Sequence, residues 1–247
     1  MKRAFTIYQN GEHIWRVIAR DPERPDFLID TNEYLISYKE KSILTDPGGI
    51  EIFPSVFAAI SAAANPENIS ALFASHQDPD IISSLSLWLE FNPDLPCYVP
   101  WLWAGFIPHF GGNKNTFIPI PDEGMPINLN GLELRAIPAH YLHSSGNLNL
   151  YDATAKILFS GDIGAALLPA DDTQMFVQDF DKVIKHAEGF HRRWMGSEPA
   201  KRDWCERVSK LDIDMMCPQH GAIFQGADVQ RFIHWFDELK IGVMKKG

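Results

Sequence analysis

Residues 74–81 read ASHQDPDI, which sets His76, Asp78 and Asp80 at alternate positions. Imidazole and carboxylate are the donors that transition metals take, and an extended chain would place all three on one face. The two acids have a plainer use as a helix start, with Asp78 as N-cap, Pro79 at the first helical position and Asp80 favoured by the helix dipole. That use leaves His76 unexplained at the mouth of an apolar run. Three further stretches have a similar form: His140 and His143 in PAHYLHSSGN, Asp162 in ILFSGDIG, and His220 in MMCPQHGAIF. Singly, each has an ordinary explanation: a turn cap, a Gly-Asp turn, or a satisfied structural histidine.

Jointly they share one design, an apolar strand whose C-terminal end delivers a His or an Asp into a loop. Strand ends on one edge of a sandwich converge, which is how a rigid scaffold assembles a site. Three histidines and three carboxylates suit two metal ions with one carboxylate shared between them.

The pattern His76-x-Asp78-x-Asp80, His143, Asp162, His220 resembles the metallo-β-lactamase superfamily. More narrowly, it is similar to the di-iron branch that holds the flavodiiron proteins and the shorter oxygen-binding di-iron proteins. The intervals of 62, 18 and 57 residues between Asp80, His143, Asp162 and His220 match the rhythm of that branch, and His143-Ser-Ser-Gly resembles its H-x-x-G step. Hydrolytic zinc members usually carry H-x-H-x-D-H; here Asp78 replaces the second histidine and Ile81 the last. Flavodiiron proteins usually have Glu where Asp78 stands.

The resemblance implies His76, Asp78 and His143 on one metal, Asp80 and His220 on the other, and Asp162 bridging. It implies two iron ions (Fe2+/Fe3+) with an oxo, hydroxo or peroxo bridge, and zinc or manganese as alternatives. Carboxylate in place of imidazole hardens the site and favours iron or manganese over zinc. Ile81 supplies no ligand, so positions stay open for O2 or NO. His140 and Tyr141 are candidates for the surroundings of the site, as is Ile81, and the aromatic run WLWAGFIPHF could wall a dry pocket or serve as core.

The elements that must hold these residues follow from the pattern. The first 50 residues read as an antiparallel meander, with Asn10-Gly11 as a type I′ turn signal. Helical composition over 53–64, a strand over 69–75, a helix over 79–91 and a strand at CYVP follow. The second half repeats this grammar: a hairpin arm over 128–139 opened by Asn130-Gly131, strands at NLNLYD and AKILFS, helical pattern over 174–210, strands at DIDMMCP and AIF, and a closing amphipathic helix. Strands then helices, twice over, predict an α+β fold, a four-layer α/β/β/α sandwich of the metallo-β-lactamase type, in a single domain over 1–247.

Composition removes several function classes. Lys plus Arg number 22 against 32 Asp plus Glu, a net charge of −10, and no basic run is longer than a pair such as Lys245-Lys246. A nucleic acid is therefore not an expected partner. Cys97, Cys205 and Cys217 are odd in number and contain no C-x-x-C pair, which predicts reduced thiols in a cytoplasm. No apolar stretch reaches the length of a signal peptide or a membrane span. The sequence shows no flavodoxin-like phosphate loop and no rubredoxin cysteine pairs, so electrons are expected from an external flavoprotein or rubredoxin. The leading expectation is an O2-binding di-iron sensor or carrier, with a signalling protein as partner in a process such as chemotaxis. An O2 or NO reductase fed from outside is second, and a zinc hydrolase third. A homodimer is left open.

Overall fold

The protein, seen in a computed structural model, is described over residues 1–21, 23, 29–112 and 116–243; Lys245-Lys246 lies outside them. Strands β1 (Arg3–Asn10), β2 (His13–Ala19), β3 (Glu33–Tyr38) and β4 (Lys41–Thr45) form the expected antiparallel meander. Helix α1 (Phe53–Ala63), strand β5 (Ile69–Phe73), helices α2 (Pro79–Ile82) and α3 (Leu85–Phe91), and strands β6 (Cys97–Pro100) and β7 (Phe117–Ile120) follow. β5, β6 and β7 extend the sheet from β4 in parallel, in chain order.

A second sheet holds β8 (Met125–Leu129), β9 (Leu132–Pro138), β10 (Leu148–Asp152), β11 (Ile157–Gly161), β12 (Met215–Pro218) and β13 (Phe224–Gln225), also in chain order. Only β11 and β12 run parallel, and the chain between them forms α4 (Phe180–Trp194) and α5 (Glu198–Val208). Helix α6 (Ala227–Glu238) closes the fold.

Side-chain alternation builds the layers. On β3, Tyr34 and Ile36 face the second sheet while Leu35 faces outward; on β11, Ile157 and Phe159 face the first sheet while Leu158 faces outward. Period-2 patterns with both faces apolar require cover on both sides. The first sheet's outer face takes Val56 and Ile60 of α1, Ile81 and Ile82 of α2 and Trp88 of α3. The second sheet's takes Val183 and Ala187 of α4, Trp204 of α5 and Phe232 and Phe236 of α6. Each buried Val, Ile or Phe among them stabilises the fold by about 1.5 to 3 kcal/mol before entropy is counted. The result is the α/β/β/α sandwich anticipated from the sequence.

Three local expectations need correction. The first hairpin turns on Gly11-Glu12, since Asn10 pairs with His13, and of the turn residues only Gly11 has positive φ, +58°. That sign pattern belongs to a type II′ turn. Asn130 and Gly131, both at positive φ between the paired Leu129 and Leu132, have the I′ signs expected. The helix expected over 79–91 breaks at Ser83-Ser84, where the Ser84 hydroxyl donates to the Pro47 carbonyl and the Ser83 hydroxyl accepts from the Ile50 N–H. Hydroxyls that bond to neighbouring backbone compete with the helix ladder. The helical run over 174–210 begins at Phe180 and breaks between Trp194 and Glu198.

Candidate metal centre

The strands β4, β5, β9, β11 and β12 all end at one edge, the usual place for a ligand site in such sheets. The chain after β5 bends through Ser75 and His76 into α2, so His76, Asp78 and Asp80 come from a bend and a helix start rather than from one strand face. Asp78 occupies the N-cap position, yet its side chain caps no backbone N–H; it turns instead to His143, Oδ2 to Nε2 at 2.7 Å. Asp162 directly follows β11 and His220 follows β12, where the Gln219 N–H donates to the Gly161 carbonyl and draws the two loops together.

His143 sits at φ +72°, uncommon for a residue with a side chain, and Tyr141 at +62°. The strain is locked locally. Tyr141 N–H donates to Ser144 O, Leu142 N–H to Ala139 O, and the Asn147 amide to Leu142 O. Gly221, beside His220, also has positive φ, and a Cβ there would come 2.8 Å from the Ala166 carbonyl oxygen.

Asp162 stands at the middle. Its Oδ2 lies 3.5 Å from His76 Nε2 and 3.3 Å from His143 Nε2, and its Oδ1 lies 3.2 Å from His220 Nε2. His76 Nε2 is also 3.5 Å from Asp78 Oδ2, and His220 Nε2 is 3.5 Å from Asp80 Oδ2. The six residues therefore fall into two groups, His76, Asp78 and His143 on one side and Asp80 and His220 on the other, with one oxygen of Asp162 for each. Donor atoms of His76, Asp78, His143 and Asp162 all lie within 4.8 Å of one another.

Whether this donor set suits a metal is tested by what its atoms lack. His76 Nε2 and Asp162 Oδ1 are buried and have no well-formed hydrogen bond among the described residues. Buried polar atoms without partners are rare and call for an ion or water. The far sides of two rings are anchored: His76 Nδ1 bonds to Ser75 Oγ at 2.9 Å, which donates to Asp46 Oδ2 at 2.7 Å, and His220 Nδ1 donates to the Asp30 carbonyl at 2.7 Å. Such anchoring leaves both Nε2 lone pairs aimed inward, as metal-binding histidines require. The set fits a metal pair.

The charges respond to one another. Burial acts to raise Asp162, but His220 and His76 outweigh it and hold the carboxyl well below its usual range. Burial likewise opposes Asp78, and His143 and His76 hold it low. Burial raises Asp80. His76 and His220 are buried, which disfavours their charged forms, yet Asp162 raises both, His220 to about 9.

Other expected neighbours lie elsewhere. The His140 ring turns to the Asp122 carbonyl at 2.8 Å, the Tyr141 side chain is exposed, and Ile81 is buried in the outer core against α1 and the first sheet. The aromatic run serves in part as core: Ile107 is buried and Trp103, Ala104 and Phe110 pack against the outer core, while Trp101 and Phe106 are exposed. Sequence reasoning missed Asp46 and Ser75, and also Phe190 and Trp194 of α4, whose rings lie 5.7 and 5.1 Å from that of His143. Asp46 had a signal, an acid directly after an apolar strand in the same style as Asp162. Cys97, Cys205 and Cys217 are all free and buried. No helix among the described residues is long and apolar enough to cross a membrane.

Comparison with known proteins agrees with this picture. The chemotaxis sensor ODP from T. denticola, in its apo state, is 38% identical with a TM-score of 0.87, covering 98% of this chain and 96% of that one. A structure described as the peroxy diiron species of chemotaxis sensor ODP matches with the same identity and TM-score, over 97% and 96%. Rubredoxin oxygen:oxidoreductase from Desulfovibrio gigas shares the fold at 19% identity and TM-score 0.84, over 96% of this chain and 61% of that one. Diflavin flavoprotein A 1 from Synechocystis sp. is 23% identical over 83% of this chain and 36% of its own length. The chain spans half or less of the curated relatives it matches. A family profile described as ODP family beta lactamase matches residues 29–221. The chain belongs to the ODP family of beta lactamases, within the di-iron branch of the metallo-β-lactamase superfamily.

Proposed function

We propose that this protein is a non-haem di-iron protein that binds O2 and acts as an oxygen sensor or carrier. The observation that carries this is Asp162, buried, with each carboxylate oxygen turned to a different group of histidine and aspartate. His76, Asp78 and His143 would hold one iron, Asp80 and His220 the other, and Asp162 both. The 38% identical chemotaxis sensor, known as a peroxy diiron species, supports iron over zinc and O2 as the ligand. When bound, two ferrous ions supply the electrons that O2, or NO in its place, takes up.

The chain's own residues prepare this. Asp46 and Ser75 orient His76, the Asp30 carbonyl orients His220, and the rings of Phe190 and Trp194 shield the outer side of His143 from water. Residues 1–247 form one di-iron domain in this reading, in the cytoplasm, with a signalling protein to receive the output.

A second reading, an O2 or NO reductase drawing on a separate flavoprotein or rubredoxin, is favoured by the shared fold of rubredoxin oxygen:oxidoreductase. Metal analysis of protein grown without added zinc, then anaerobic reduction and visible spectra before and after air, tests both. Two irons per chain with a persistent new band on O2 support the sensor, and sustained turnover with an added donor supports the reductase. Two zincs and a spectrum indifferent to O2 overturn both and point to a hydrolase.

A further inference from the structure

Three polar groups outside the ligand set form a chain that ends on Asp78. Trp103 Nε1 lies 3.0 Å from Ser144 Oγ, Ser144 Oγ lies 2.8 Å from Gln77 Oε1, and Gln77 Nε2 lies 3.0 Å from Asp78 Oδ1. One end fixes the direction of all three bonds. An indole N–H can only donate, so the Ser144 hydroxyl accepts from Trp103 and gives its own hydrogen to the Gln77 carbonyl. The Gln77 amide is thereby held with its NH2 toward the carboxylate. Flipped, it would set Oε1 against a negatively charged oxygen and leave the serine hydrogen unused.

Asp78 needs such a hold. It stands at the start of α2 but is not tied to the helix by a capping bond, and its side chain is 29% exposed, more than those of His76, His143 or Asp162. With Oδ1 satisfied by Gln77, Oδ2 is left facing His143 at 2.7 Å and His76 at 3.5 Å. The chain also gives the glycine of the His143-Ser-Ser-Gly step a physical reason. A Cβ on Gly146 would come within 2.8 Å of Trp103 Nε1, so glycine is what lets the indole reach Ser144. Ser144 lies in the same turn that holds His143 at positive φ, so one short segment sets both a ligand and the hydroxyl that orders its neighbour.

We propose that Trp103, Ser144 and Gln77 act together as positioning residues for Asp78, selecting which of its oxygens is offered to the metal. The proposal rests on Asp78 being a ligand. The test is anaerobic titration of metal-free protein with Fe2+, alongside the indole N–H resonance of Trp103 on adding Zn2+, assigned by its loss in Trp103→Phe.

Gln77→Met keeps the length and removes the amide; Ser144→Ala breaks the middle bond. Each is expected to weaken Fe2+ binding about 10- to 100-fold. The double variant should be no weaker than the worse single one, because both cut one chain. Ser144→Thr should restore binding. The Trp103 resonance should move with Zn2+ in the wild type and stay still in Gln77→Met, a response that a merely structural role would not give. Wild-type affinity in folded Gln77→Met, or an unmoved wild-type resonance, overturns the proposal alone. A wild type that binds no metal overturns it together with the di-iron reading.

Discussion

Asp162 meets His220 through Oδ1 at 3.2 Å, which leaves Oδ2 free for the opposite group of ligands. A carboxylate shared in this way cannot be lost from one side only. Asp162→Asn, which keeps the shape and removes the charge, is therefore expected to lower the content of both ions. Asp80→Asn touches His220's side alone and is expected to cost only one. Metal analysis of the two purified variants checks this, and equal loss from both would mean that the two groups are not separate sites.

The pH dependence of the metal-free protein has a definite sign. Burial disfavours a charged His220, but Asp162 and Asp80 raise it to about 9, and His76 moves the same way. A group whose folded pKa is raised gives its full contribution below its unfolded value, about 6.5, and loses it as pH rises through the folded one. Asp46, pushed up to about 7 by burial, loses its contribution earlier, as pH rises from about 4 to about 7. Asp162 and Asp78 are depressed, so theirs is present above about 4 and is lost as pH falls. Melting temperatures in chelator should fall from neutral pH toward 9 and again in acid. Metal binding requires the histidines to shed their protons, so affinity should rise with pH and the alkaline decline should vanish in loaded protein. A chelated melt that is flat between neutral pH and about 9 would contradict the charge network.

Asp46 acts on the centre at one remove. It accepts both the Ser75 N–H and the Ser75 hydroxyl at 2.7 Å, and that hydroxyl takes the His76 Nδ1 hydrogen. Ser75→Ala leaves the ring's outer nitrogen without its partner and frees the tautomer. A loss of about 10- to 100-fold in metal affinity is expected. Ser75→Thr, which keeps the hydroxyl, should retain most of the affinity. Equal losses from both would assign the effect to packing at the end of β5.

Much of this site was legible because the same signal recurred: an apolar run, then a His or an Asp. Strand ends converge in any such sandwich, so His76, Asp78, Asp80, His143, Asp162 and His220 could be gathered without knowing a single distance. Directions within a loop were not legible. His140 and His143 follow the same strand and were told apart only by the resemblance of His143-Ser-Ser-Gly to the H-x-x-G step; what separates them physically is backbone, since the positive φ of Tyr141 and His143 turns one ring to Asp122 and the other into the site. Contributions from helices were hidden for another reason. His191 looks like a spare ligand, but its Nδ1 donates to the Ala187 carbonyl and its Nε2 accepts the Gly164 N–H, so burial keeps it neutral with a pKa near 4. On the same helix, the adjacent Phe190 and, about one turn on, Trp194 read as ordinary apolar positions until the fold lays them against His143.

Those two rings make the last prediction. Phe190 is 9% exposed and lies 5.7 Å from His143 and 6.4 Å from His220, while Trp194, 54% exposed, stacks on Phe190 from outside. Burial separates their roles. Phe190→Ala should destabilise the fold by about 3 kcal/mol through the cavity it leaves. Trp194→Ala should change stability by less than about 1 kcal/mol, since a half-exposed ring loses little. Both should speed removal of metal by a chelator, because both rings lie against that of His143. Denaturant midpoints and chelation rates on the same samples separate the two effects. If Trp194→Ala leaves the chelation rate unchanged, the outer ring is a surface residue and Phe190 alone keeps water from the site.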